Sequence, residues 1–136
     1  MKIAVLGAGN GGQSIAADLV LKGYDVNIFN RTKNRIQPIN ENGGIEIVGD
    51  ILEGFAEIKT ATTSLKEAIE GVELIVVAVP TTAHRYIAET CAPYLEDNQT
   101  IFLNPGHTGG ALEFRSTLNE HDNKKKIKIC EFASSD

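Results

Sequence analysis

The residues with the clearest capacity for chemistry form a glycine cluster near the N-terminus. An apolar run, Ile3 to Leu6, leads directly into the cluster, and a helical pattern of apolar residues follows it. The glycines at positions 7, 9 and 12 fit the spacing G-x-G-x-x-G, which is typical of a dinucleotide-binding turn when it joins a strand to a helix. We therefore predict that a pyrophosphate is held by Gly7, Ala8, Gly9, Asn10, Gly11 and Gly12.

Each glycine of this pattern has its own physical reason. Gly7 permits the sharp exit from the strand, Gly9 lets a pyrophosphate approach the backbone, and Gly12 lets the helix pack closely on the strand. The N–H groups and the positive dipole at the start of the helix suit a doubly charged pyrophosphate. The alternative interpretation is a glycine-rich turn with a purely structural role.

The end of a second apolar run, Val26 to Phe29, indicates which dinucleotide is bound. NAD sites usually place Asp or Glu there, to hold the ribose 2′-hydroxyl. This chain has Asn30 instead, which cannot repel a 2′-phosphate, and Arg31, whose planar fork can pair with one. The sequence thus favours NADP, with NAD as the alternative, and predicts contacts from Asn30, Arg31, Thr32 and Arg35. A solvated basic turn is the competing explanation.

Two later loops follow apolar runs in the same way. After the run Glu73 to Val79, we expect Val79, Pro80 and Thr81 to flank the cofactor, although the Thr81 hydroxyl can equally cap the next helix. After Thr100 to Leu103, the turn Asn104, Pro105 and Gly106 is predicted to face the nicotinamide and the substrate, with a simple helix-entry turn as the alternative. We predict no catalytic residue in this chain.

Strand and helix patterns alternate along the whole chain, and a capping-box pattern, Ser64 with Glu67, begins one of the helices. This alternation predicts an α/β fold of the Rossmann type, with a doubly wound, mainly parallel sheet and helices on both faces. Ligands bind such sheets beyond the carboxyl ends of the strands. The predicted strands cover residues 3–6, 26–29, 73–79, 100–103 and 126–132, a hairpin is formed by 45–48 and 55–60, and helices follow at 33–42, 64–70, 81–94 and 111–118.

Length and composition narrow the class of protein. The chain has 136 residues, enough for one domain, and a net charge of −5 without a basic stripe, which argues against nucleic acid as a partner. No apolar run approaches the length of a membrane span, so we expect no membrane association and a cytoplasmic location. Cys91 and Cys130 are expected to be buried thiols, and the scattered histidines predict no metal site.

Three stretches together resemble one enzyme family. They are GAGNGG with the following AADL, VAVPTTAH at 77–84, and above all NPGHTGGALEF at 104–114. With EFASS at 131–135 they make the whole chain similar to the N-terminal domain of opine dehydrogenases, the octopine/nopaline dehydrogenase group. The resemblance implies a reductive condensation of an α-keto acid with the amino group of an amino acid, using NADPH or NADH.

The same resemblance implies a second, helical domain that binds the amino acid and supplies a His–Asp acid/base pair. No residue here matches that histidine, so we expect residues 1–136 to be the NAD(P)-binding domain, binding cofactor without turnover. We expect apolar surface near the C-terminal end, which would favour a homodimer. The alternatives are the cofactor domain of a ketopantoate-reductase-like or glycerol-3-phosphate-dehydrogenase-like enzyme, and a non-enzymatic NADP(H) sensor.

Overall fold

The computed structural model describes residues 1–48, 53–104, 110–121 and 125–131. Strands and helices alternate through this part of the chain, as the sequence predicts. The strands are β1 (Lys2–Leu6), β2 (Asp25–Phe29), β3 (Gly44–Ile47), β4 (Gly54–Glu57), β5 (Thr60–Thr62), β6 (Leu74–Val77), β7 (Thr100–Leu103) and β8 (Lys128–Glu131). The helices are α1 (Asn10–Leu21), α2 (Lys33–Asn42), α3 (Leu65–Ile69), α4 (His84–Cys91) and α5 (Gly110–Glu120).

Six of the strands form one sheet in the order β5-β2-β1-β6-β7-β8, and every neighbouring pair in it is parallel. The chain moves outward from β1 to β5 on one side and from β6 to β8 on the other. The switch point therefore lies between β1 and β6, where the carboxyl ends of both strands leave a crevice. This arrangement confirms the predicted doubly wound fold.

Both faces of the central strands are buried, which explains their nearly continuous apolar sequences. Residues such as Leu6, Ile75 and Leu103 pack against α3, α4 and α5 in one core. The alternate residues of the same strands, such as Val5 and Ile28, pack against α1, α2 and the β3–β4 hairpin in a second core. Within the described residues, no helix has both the length and the apolar character needed to cross a membrane.

The β3–β4 hairpin is antiparallel and confirms the predicted pairing. The prediction of one continuous strand over 55–60 is wrong, because the structure divides this region into β4 and a separate strand, β5. The short β5 joins the edge of the main sheet beside β2. Its sequence, Thr60-Ala61-Thr62, carries little apolar signal because an edge strand is only partly buried.

Smaller differences concern helix ends. The Ser64 hydroxyl accepts the Glu67 N–H at 3.3 Å, so the predicted cap exists, but the return bond of a capping box is replaced by one from Ser64 N–H to the Thr62 hydroxyl. The predicted helix 81–94 contains α4 with a short 3-10 turn at each end, Thr81–Ala83 and Ala92–Tyr94. Of the two predicted buried thiols, Cys91 is buried and Cys130 only half-buried.

Candidate functional site

The glycine turn lies between β1 and α1, against the end of β6. Gly7 has φ +123°, a backbone conformation that other residues rarely adopt, and a Cβ there would lie 2.5 Å from the Ala78 carbonyl oxygen. A Cβ on Gly12 would lie 1.8 Å from the Gly7 carbonyl oxygen. These two glycines therefore hold the turn, the helix and β6 in close contact, as expected for the first and third glycines of the pattern.

The start of α1 leaves backbone donors facing outward. Gly9 is the N-cap residue, and the first helical hydrogen bond runs from Gln13 N–H to the Gly9 carbonyl at 2.9 Å. The N–H groups of Asn10, Gly11 and Gly12 thus precede the helical ladder and are available to an anion. A Cβ built on Gly9 or Gly11 meets nothing within 4 Å, so the surface around these two residues is open.

The Asn30 side chain joins the glycine turn to the end of β2. Its Oδ1 accepts the Ala8 N–H at 3.0 Å, and its Nδ2 donates to the Thr32 hydroxyl at 2.9 Å and to the Thr32 carbonyl at 3.2 Å. The amide therefore ties the glycine turn to Thr32, the residue that precedes α2. Asn30 places no negative charge where a ribose would lie.

Arg31 projects from the end of β2 across the crevice. Its guanidinium carbon lies 4.3 Å from the centre of the Tyr86 ring on α4. Arg35 lies in the exposed first turn of α2, farther along the same basic segment. Sequence reasoning did not include Tyr86, because nothing in the local pattern links it to the end of β2.

The loop after β6 completes the central part of the site. Val79 packs against the larger core, and its carbonyl lies 3.3 Å from His84 Nε2, so the buried imidazole braces this loop. Neither the 3-10 turn that begins at Thr81 nor α4 has a side-chain cap. The capping alternative for Thr81 is therefore wrong, and its exposed hydroxyl stays at the edge of the crevice.

Asn104 is the described part of the third loop. It follows β7, and its N–H donates to the Val77 carbonyl at 2.9 Å, which holds it beside the end of β6. The other two predicted residues of this loop, Pro105 and Gly106, lie outside the described residues. All described members of the predicted site thus lie along one edge of the sheet, at the carboxyl ends of its strands.

Gln13 is a further residue that the sequence analysis did not select. Its Nε2 donates to the Ala8 carbonyl at 2.8 Å, so the first turn of α1 is tied back to the glycine turn. Ala8 therefore has its N–H held by Asn30 and its carbonyl held by Gln13. These bonds keep the peptide units of the turn in fixed directions, which is what a preorganised anion site requires.

A cavity lies far from this edge. It has a volume of about 620 Å³ and lies at the amino ends of β7 and β8, where Arg115, Lys126 and Lys128 contribute to its lining. Open sheets of this type bind their ligands at the opposite edge. We therefore place the candidate site at the glycine turn and not in this cavity.

Fold and site together define the class of the protein. A parallel sheet with a switch point, a G-x-G-x-x-G turn at that point, and outward N–H groups at the start of α1 are the features of a dinucleotide-binding domain of a dehydrogenase. The comparisons with known proteins agree with this class and identify the family.

The family model for the N-terminus of NAD-dependent glycerol-3-phosphate dehydrogenase matches residues 2–131, and the chain belongs to this family. An opine dehydrogenase from Arthrobacter sp. (strain 1C) is 42% identical over 118 residues, which cover 87% of this chain and 33% of that protein. A glycerol-3-phosphate dehydrogenase [NAD(P)+] from Shouchella clausii (strain KSM-K16) is 37% identical over 95 residues, which cover 70% of this chain and 28% of that protein.

A solved structure of octopine dehydrogenase in complex with NADH and agmatine superposes with a TM-score of 0.80 at 22% identity. The match covers 95% of this chain and 34% of that structure. The expected relationship to opine dehydrogenases is confirmed. The chain spans about one third of the length of the curated relatives it matches.

Proposed function

We propose that this chain is the nucleotide-binding domain of an opine-dehydrogenase-like oxidoreductase that prefers NADPH. The observation that carries the proposal is the composition of the β2 end beside the glycine turn. There a neutral amide, Asn30, occupies the position of the usual acidic residue, and a guanidinium, Arg31, lies over the adenosine side of the crevice. A 2′-phosphate would meet an attractive charge and no repulsive one.

Each part of the dinucleotide has residues suited to it. The pyrophosphate would receive N–H groups from Asn10, Gly11 and Gly12, whose positions also lie at the positive end of the α1 dipole. The adenosine ribose and its phosphate would lie against Asn30 and Arg31. The nicotinamide half would pass Pro80 and Thr81 toward Asn104, and the sequence predicts further contacts from Pro105 and Gly106.

The chemistry of the complete enzyme is part of the same proposal. When bound, the reduced nicotinamide supplies a hydride, and the residues of this domain hold its ring at the carboxyl edge of the sheet. We propose that the α-keto acid, the amino acid and the acid/base residues are provided by a second domain, because residues 1–136 contain no group matched to that role. Self-association and a cytoplasmic location stay predictions from the sequence.

The test is a calorimetric titration of this chain with NADPH and with NADH. A hydrogen bond to a charged group contributes about 1.5–3 kcal/mol, so loss of an exposed guanidinium–phosphate pair corresponds to about a tenfold change in affinity. We expect tighter binding of NADPH, and we expect Arg31→Ala to remove most of that preference. Lys59→Ala removes the same charge at the opposite edge of the sheet and serves as the control, because Lys59 is exposed and distant from the crevice.

Equal affinity for the two dinucleotides, unchanged in Arg31→Ala, would contradict the NADPH preference. Failure to bind either dinucleotide would contradict the assignment of the whole site.

A second candidate function follows from the family model and from the relative of Shouchella clausii, both of which name glycerol-3-phosphate dehydrogenase. On this alternative the nucleotide site is the same, and the partner domain binds a phosphorylated alcohol. A turnover assay of the longer protein that carries this domain separates the two. Oxidation of NADPH that requires both a keto acid and an amino acid supports the opine reaction, whereas oxidation of glycerol 3-phosphate supports the alternative.

A further inference from the structure

The contact between Arg31 and Tyr86 joins two elements that are not neighbours in the sheet. Arg31 follows β2 and Tyr86 lies in the first turn of α4, which follows β6, while β1 lies between those two strands. The guanidinium carbon is 4.3 Å from the ring centre, within the range of a cation–π contact. The contact therefore spans the crevice on the side assigned to the adenosine.

The two partners differ in burial. The Tyr86 ring is partly buried and packs against the larger core, whereas Arg31 is exposed at the end of a strand. An exposed arginine has many rotamers, and ordering it on binding reduces affinity. A ring fixed by the core offers a platform that limits those rotamers before any ligand arrives.

Stacking leaves the hydrogen-bonding capacity of the guanidinium intact. A guanidinium that stacks parallel to an aromatic ring uses the face of its plane, and its five N–H donors then point outward within that plane. The same group can therefore stay stacked on Tyr86 and bind a phosphate through its edge.

The positive charge of Arg31 is also available to a ligand. In the described part of the chain, the ion pairs that involve arginine belong to Arg85, which bonds Glu89 at 2.8 Å and Glu120 at 2.9 Å. Arg85 directly precedes Tyr86, yet its charge is directed to these carboxylates. Arg31 instead rests on a neutral ring, which stabilises it without cancelling its charge.

We infer that Tyr86 is a positioning residue, which holds the Arg31 guanidinium stacked over the adenosine crevice so that its edge meets the 2′-phosphate of NADPH. The inference rests on the proposed function and adds a determinant of cofactor preference that comes from α4. The aromatic ring of Tyr86, and not its phenol hydroxyl, is the group that holds the guanidinium.

The test compares NADPH and NADH affinity in Tyr86→Leu and Tyr86→Phe. An exposed cation–π contact corresponds to roughly a two- to fivefold change in an equilibrium constant. We expect Tyr86→Leu to weaken NADPH by about this factor with NADH nearly unchanged, and Tyr86→Phe to retain wild-type values. Tyr24→Leu is the matched control, because Tyr24 is a half-exposed tyrosine at the opposite edge of the sheet.

A double-mutant cycle gives a readout that a merely structural effect of Tyr86 would not produce. In the Arg31→Ala background, Tyr86→Leu should cause no further change in the ratio of the two affinities, because the group it positions is gone. A loss of fold would instead weaken both dinucleotides in both backgrounds, and thermal unfolding of each variant checks for it.

Three results would overturn the inference. One is an unchanged affinity ratio in Tyr86→Leu while Arg31→Ala still alters it, a result that leaves the proposed function standing. Another is tighter binding of both dinucleotides to Tyr86→Leu, which would mean that the stacked pair obstructs the crevice. The third is an equal loss in Tyr86→Phe. If wild-type chain binds neither dinucleotide, the proposed function fails, and this inference fails with it.

Discussion

Replacing Asn30 by aspartate exchanges one side-chain nitrogen for oxygen at the point where the glycine turn meets the end of β2. The Oδ1 atom that accepts the Ala8 N–H at 3.0 Å is retained, and its bond becomes charge-assisted. The donor to Thr32 is lost: the Thr32 hydroxyl can reverse and donate to the carboxylate, whereas the Thr32 carbonyl loses its bond. We expect the stability of the fold to change by no more than about 1 kcal/mol.

The effect on cofactor preference should be much larger. Two unit charges 4 Å apart interact by about 1 kcal/mol in bulk water and about 4 kcal/mol at an effective dielectric constant of 20. Because Asn30 is only partly buried, an intermediate repulsion of about 2 kcal/mol applies to a nearby 2′-phosphate. A ribose 2′-hydroxyl would instead donate to the carboxylate and gain about 1.5 kcal/mol. The ratio of NADPH to NADH affinity should therefore fall by about two and a half orders of magnitude.

Calorimetric titration with both dinucleotides measures this ratio directly. Asn40→Asp is the matched control, since it makes the same chemical change on the exposed side of α2, where the Asn40 Nδ2 donates to the Ala61 carbonyl at 3.0 Å. The control should leave the ratio within a factor of about two. If Asn30→Asp also leaves the ratio unaltered while the chain stays folded, the 2′ position does not lie beside Asn30, and the reasoning about the β2 end is refuted.

The remaining predictions concern the glycine turn and the thiols. Gly12→Ala should lower the free energy of unfolding by about 3 kcal/mol in a denaturant titration, because its Cβ would meet the Gly7 carbonyl oxygen at 1.8 Å; an unchanged midpoint would contradict this packing. Gly9→Ala should weaken dinucleotide binding at least tenfold yet lower the free energy of unfolding by only about 0.5 kcal/mol. Gly11→Ala, at a position with as much free space for a Cβ, should leave the free energy of unfolding unchanged. Titration and thermal melting compare the two variants. Burial raises the pKa of the Cys91 thiol to about 12, so between about pH 9 and 12 the folded state keeps a proton that the unfolded state loses. The free energy of unfolding should therefore fall as the pH rises through this range, and Cys91→Ala should remove this contribution to the pH dependence. Native chain should also react with a thiol reagent at the half-buried Cys130 well before Cys91, and equal rates would argue against the burial of Cys91.

Much of the fold could be predicted because its signals are local. An apolar run, a glycine cluster and a helical period lie next to one another in the first thirty residues, and each is set by interactions between near neighbours in the chain. The helix at 33–42 was predicted with the bounds that α2 has, despite Pro38 inside it. Its end at Gly43, with φ +76°, is a matter of local backbone conformation.

The edge strand β5 could not be predicted, because its stability comes from pairing with β2 and not from its own residues. Thr60 to Thr62 are only partly buried, and their sequence lacks the apolar alternation of an inner strand. The role of Thr81 was also ambiguous, since a hydroxyl after a strand can cap a helix or face a ligand. The geometry of the following turn excludes the cap.

The sequence by itself determined the βαβ unit, the glycine turn, the absence of an acid at the β2 end, and the family resemblance, since all of these are properties of residue type and short spacing. Only the tertiary structure decided how the distant parts meet. It brings the Asn30 side chain into hydrogen-bond contact with Ala8, 22 positions away in the chain, and it places the Arg31 guanidinium over the Tyr86 ring of α4. The physical reason is that parallel strands bring their carboxyl ends to one edge, so residues far apart in the chain become neighbours in a way that no local pattern records.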